Sequence, residues 1–98
     1  MSRRSDLCKI TPEVRKAVEK RDGHCCIFCG APGRGEAHFI GRAHGGMGVE
    51  KNILTVCRKC HHELDNGKNR VYYIAKAQDY LHDHYDDWKI EDLIYSKW

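Results

Sequence analysis

The apolar positions along this chain change period several times, and each change marks an element. After Thr11 and Pro12, the residues Val14, Ala17 and Val18 recur at helical steps. That spacing predicts a helix with Thr11 as N-cap, Pro12 in its first turn and Gly23 at its stop. Residues 37–42 and 53–56 are short extended candidates, joined by a long loop around Gly45, Gly46 and Gly48. Residues 58–65 read as a second helix. A third is expected over residues 71–84, with Val71, Ile74, Leu81 and Tyr85 spaced for one buried face. Trp88, Ile90, Leu93 and Ile94 predict a tail that packs back on the body, and residues 1–10 read as a flexible arm.

At 98 residues this is a single domain, residues 1–98, near the small end of what folds unaided. With 32% of its residues charged its core is thin, which suits a metal staple. No apolar run approaches the roughly eighteen residues of a membrane span, so no membrane partner is expected. The start, MSRRSDLCKI, has no apolar segment of a secretory signal. Six cysteines in that setting point to a reducing compartment, a cytoplasmic location and metal ligation rather than disulfides. Charge is uneven: residues 1–78 hold fifteen Lys and Arg against eight acids, and residues 79–98 hold two against six. The basic part suits a phosphate-bearing partner. A solvated surface with an acidic tail gives the same count.

Two Cys-x-x-Cys pairs, Cys26/Cys29 and Cys57/Cys60, can supply four thiolates to one tetrahedral structural zinc. Gly30 lets the backbone amides turn toward the first pair. Cys25 competes with Cys26 for the site but lacks the two-residue spacing, and Cys8 and Cys25 read as free thiols. On the predicted second helix, His61 and Asp65 are four apart and share a face, a suitable pair for a divalent cation. His62 is rotated about 100° away, which suits packing or a phosphate better. His38 alternates with Phe39 on the first extended segment and sits beside the cation if it faces the helix. Asn52, just before the second extended segment, can brace the loop by hydrogen bonds to backbone. His24, His82 and His84 read as surface histidines.

Residues Cys26 to Cys29, EAHFIGRAHGG over 36–46 and NILTVCRKCHH over 52–62 together resemble the HNH (His-Asn-His) endonucleases. The likeness is greatest to small HNH proteins of phages and prophages, and covers residues 26–66. The DNG at 65–67 and the LIY at 93–95 are similar to that subgroup too. The resemblance implies a small α+β fold: a ββα-metal, treble-clef-like zinc finger core over 26–66 with flanking N- and C-terminal helices. It implies His38 as the general base that takes a proton from water, Asn52 as the residue that orders the loop, and His61 as a ligand of the catalytic metal. Asp65 falls where many members carry a second helix histidine. Arg42 and His44 on the hairpin, with Arg58 and Lys59, are the expected nucleic-acid contacts. The cofactors implied are structural Zn²⁺ and a catalytic divalent cation (Mg²⁺, Mn²⁺ or Ni²⁺). The partner implied is DNA, held mainly by its phosphates, with phage packaging proteins as further partners.

The chain departs from the pattern at Ala37, where many members carry an Asp or His that also binds the cation. The site is therefore one protein ligand short. Glu36 is expected on the other side of the strand unless a bulge turns it, and His44, His62 or water are the other candidates. A metal-dependent DNA endonuclease is the leading reading. A zinc-stabilised nucleic-acid-binding module without catalysis is the alternative, with Ala37 as its best argument. A scaffold whose zinc knuckle serves protein contacts is a third, and has no need of the basic face.

Overall fold

The computed structural model describes residues 7–95. Helix α1, Pro12–Arg21, begins as its sequence dictates: the Thr11 hydroxyl accepts the Val14 amide at 3.2 Å and Pro12 opens the first turn. Strands β1 (Arg34–His38) and β2 (Ile53–Val56) form a two-stranded antiparallel sheet. Helix α2 (Arg58–Asn66) follows β2 directly, and helix α3 (Arg70–His84) lies after a short link. The molecule is a small α+β fold with a cysteine cluster at one end of its sheet.

The sheet is covered on both faces. Ala37, Leu54 and Val56 join Cys60 and Leu64 of α2, Ala77 and Leu81 of α3, and Phe39, Trp88 and Leu93 in one core. Each large aliphatic side chain buried there contributes about 2 kcal/mol. Helix α1 covers the other face through Val18, and Gly35 makes that approach possible. A Cβ on Gly35 would lie 3.1 Å from Val18 Cγ1 and 3.2 Å from the Arg15 carbonyl.

A buried polar network locks α1 to the rest. The Arg21 guanidinium donates to the carbonyls of Glu50 (2.9 Å) and Ile53 (2.8 Å) and to the Tyr85 hydroxyl (3.0 Å). It also pairs with Asp22 at 2.7 Å. Asp22 in turn accepts from the Thr55 amide (3.0 Å) and the Tyr80 hydroxyl (2.6 Å). Burial opposes charge on Asp22, but Arg21 and Tyr80 outweigh it and hold the carboxyl below its ordinary range.

Three expectations shift. Strand β1 runs over Arg34–His38 rather than residues 37–42, and Arg42–His44 is a short 3₁₀ turn. The reason is that a side chain, Asn52, takes both backbone groups of Ile40, so pairing between strands ends at His38. Helix α3 buries a stripe centred on Ala77 and Leu81, while Val71 is 81% exposed. Residues 7–10 of the expected arm are held: Cys8 is buried, and the Gly48 amide donates to the Leu7 carbonyl at 2.9 Å. Residues 1–6 lie outside the described residues. The tail does pack back, with Trp88 and Leu93 buried. Among the described residues no helix is long and apolar enough to cross a membrane.

Candidate functional site

The two Cys-x-x-Cys pairs meet. The Sγ atoms of Cys26, Cys29, Cys57 and Cys60 all lie within 4.8 Å of one another, so the four can hold one metal ion. Two local structures aim them. The first pair sits on a turn whose Gly30 is left-handed, at φ 81°, and the Ile27 amide of that turn donates to the Thr55 carbonyl at 3.1 Å. The second pair caps α2: Cys57 is its N-cap, and its sulfur accepts the Cys60 amide at 3.5 Å. That amide pulls the Cys57 thiol down to about 7. Burial pushes the Cys60 thiol the other way. Cys25 is exposed and outside the cluster, and Cys8 is buried away from it.

His38, His61 and Asp65 come together from β1 and α2, lining one cavity of about 560 Å³ with Glu36 and Arg42. His61 Nε2 and Asp65 Oδ2 are 3.2 Å apart, as their four-residue spacing on a helix allows. The His38 ring is half-buried, with Phe39 turned into the core beside it. Its Nε2–H donates to the Cys8 carbonyl at 2.8 Å. A carbonyl has no proton to give, so Nε2 carries the hydrogen and Nδ1 is the basic nitrogen. Burial pushes the His38 pKa below the ordinary histidine value of 6.5, helped by Arg42 and His61 and opposed by the Cys8 carbonyl and Asp65.

Ala37 is fully buried in the core, so its position faces away from solvent. Glu36, expected on the far side of the strand, reaches the cavity through a bulge. Gly35 pairs with Thr55 and Ala37 with Leu54, leaving Glu36 as the extra residue. The same glutamate also lines a second cavity of about 370 Å³, shared with His61 and Arg58. His44, His62 and Lys59 are exposed and line neither cavity. Among the described residues the four cysteines are the only group of three or more His, Cys, Asp or Glu gathered closely enough to share an ion. His61 and Asp65 are a pair.

Asn52 is fully buried and braces the loop that carries Arg42. Its Oδ1 accepts the Ile40 amide at 2.8 Å, and its Nδ2 donates to the carbonyls of Ile40 (3.1 Å) and Met47 (2.8 Å). The Phe39 amide donates to its backbone carbonyl at 2.8 Å. Gly46 is required beside it, because a Cβ there would clash with the Ile40 carbonyl oxygen. The tail closes the loop from outside, through Met47 N–H to the Leu93 carbonyl (2.8 Å) and Tyr95 N–H to the Gly45 carbonyl (2.7 Å). Asn52→Ala should therefore destabilise the fold by roughly 3 kcal/mol, since it strands three buried backbone groups. Asn52→Asp should be no milder, because its carboxylate would face two carbonyl oxygens. Urea midpoints of both variants measure this; a change under about 1 kcal/mol would mean the amide is not the brace.

Sequence reading missed Arg15, Lys9 and Arg70, which line the larger cavity from α1, the segment before it and α3. No motif spacing marks them, because their convergence is tertiary. It also missed the Arg21–Asp22 pair, which in sequence looks like an ordinary helix end before Gly23. No protein family, curated protein or solved structure matches this chain.

Proposed function

We propose that this chain is a metal-dependent DNA endonuclease of the HNH kind, built on a zinc-stabilised ββα core. The observation that carries the reading is the cavity in which His38, His61 and Asp65 meet. These residues come from a strand and a helix, and packing alone gives no reason to gather them around open space. The cysteine cluster would hold zinc, since four thiolates in a tetrahedron suit that ion best.

His61 and Asp65 would hold the catalytic cation, and imidazole with carboxylate suits Mg²⁺, Mn²⁺ or Ni²⁺. When bound, that cation supplies positive charge against the scissile phosphate and the leaving 3′ oxygen. His38, kept neutral by its burial, takes a proton from water at Nδ1 while Nε2–H stays fixed on the Cys8 carbonyl. Asn52 keeps the loop that carries Arg42 in place against the substrate backbone. The bulged Glu36 lies in the same cavity as a candidate for the ligand position left open at Ala37.

A binding module without catalysis is the second reading. It is favoured by the pairing of only two ligands, His61 and Asp65, where a tightly held cation usually has three. Supercoiled plasmid incubated with a panel of divalent metals separates the two. Metal-dependent nicking by the native chain is expected; uncut plasmid with every metal, despite bound DNA, would leave only the binding module.

DNA binding itself should depend on backbone charge rather than on sequence. The cavity is lined by Lys and Arg, and α2, whose basic residues Arg58 and Lys59 lie in its first turn, spans only nine residues. Affinity for duplexes of unrelated sequence should be nearly equal and fall linearly on a log–log plot against salt. A strong preference for one short sequence at physiological salt would contradict this.

A further inference from the structure

Among the buried side-chain nitrogen and oxygen atoms of the described residues, only Arg15 Nε has no hydrogen-bond partner. A buried donor left unpaired costs about 1–3 kcal/mol, and more when it belongs to a charged group. Arg15 lies on α1, yet its side chain lines the cavity that holds His38 and His61. Lys9 enters the same cavity from the N-terminal segment, Arg42 from the loop after β1 and Arg70 from the start of α3. Against Lys9, Arg15 and Arg70 the cavity sets two acids, Glu36 and Asp65, and Asp65 is already paired with His61. A cavity with that balance and an unpaired guanidinium donor is complementary to an anion.

We propose that Arg15 is the principal donor of a phosphate subsite in this cavity, with Lys9 and Arg70 beside it, and that its ligand is a backbone phosphate of bound nucleic acid. The assignment of that ligand rests on the nuclease reading. The subsite itself rests on the orphaned donor and the charge of the cavity. A planar guanidinium offers a directed fork to phosphate, which a lysine cannot reproduce. The strand of nucleic acid would thus be held from both α1 and α3, in the cavity that also holds His38.

The test is fluorescence anisotropy of a short labelled duplex, without added divalent metal, for the native chain, Arg15→Gln and Arg15→Lys. Arg15→Gln should weaken binding about tenfold or more and reduce the magnitude of the salt slope by about one. Arg15→Lys keeps charge and stem but lacks the fork, so it should fall between the two, and it carries the test if Arg15→Gln does not fold. Thermal unfolding is read on the same samples. An arginine retained for structure would lower the midpoint when replaced, whereas loss of an unpaired donor should leave it unchanged or raise it.

Equal affinity for duplex and for inorganic phosphate in all three proteins overturns the subsite. Inorganic phosphate is titrated in parallel, and Arg15-dependent binding of phosphate without Arg15-dependent binding of duplex overturns nucleic acid as the ligand. Plasmid nicking by the native chain keeps the two readings apart. Arg15-dependent affinity without nicking leaves the subsite and sinks the nuclease; nicking with Arg15-independent affinity does the reverse.

Discussion

Stripping the metal from the cysteine cluster should unfold the whole domain. Structural zinc held by four thiolates supplies about 10–16 kcal/mol to folding at neutral pH, and a small domain is stable by only about 5–15 kcal/mol. Here the cluster joins the turn after α1 to the first turn of α2, and Cys26 and Cys60 are themselves core residues. Purified protein should contain one zinc per chain by elemental analysis. Cys60→Ser should abolish the cooperative thermal transition and the native circular dichroism. Cys25→Ser should do neither, since Cys25 is exposed and outside the cluster. A native spectrum after complete zinc removal would overturn the claim, and loss of zinc in Cys25→Ser would move the ligand from Cys26 to its neighbour.

What was legible in the sequence is local. Thr11 and Pro12 announced α1 because capping is a short-range hydrogen bond. The cysteine spacing announced the cluster because two-residue steps suit a turn and a helix start. Asn52 could be read as a brace because a buried amide beside a Gly-rich loop has only backbone to satisfy it.

What was not legible depends on tertiary packing. The end of β1 was misplaced because Asn52, fourteen residues from His38, decides where the strand stops. Glu36 could be placed in the site only on the condition of a bulge, because a bulge leaves no mark in an alternating pattern. Along α3 and its C-cap, Ile74, Leu81 and Tyr85 do pack on the core, but Val71 in the first turn is exposed and Ala77, a weak signal in the sequence, is buried in the same stripe. The N-terminal segment read as an unattached arm because it is held by one buried cysteine and by carbonyls, which every residue has. The Cys8 carbonyl, the partner that fixes His38, could not have been found from side-chain chemistry at all.

That carbonyl makes the second large effect specific. His38→Ala should lower plasmid nicking about 10²- to 10⁴-fold, the usual contribution of a positioned general base, while leaving duplex affinity essentially unchanged. Stability should fall by only about 1 kcal/mol, because one hydrogen bond to a carbonyl is lost from a half-buried ring. The pH profile supplies a second readout. Burial lowers the folded-state pKa of His38 beneath 6.5, and the positive charge of Arg42 acts in the same direction. The base is then the unprotonated form over a wider range than a free histidine allows. The acid limb of activity should have its midpoint below pH 6.5, as His38 takes up its proton. The same protonation removes stability on acidification, since a depressed pKa means that the unfolded chain binds the proton first. An acid limb above pH 6.5 would mean that another group limits the reaction, and native-rate cutting by His38→Ala would mean that the base lies elsewhere in the cavity.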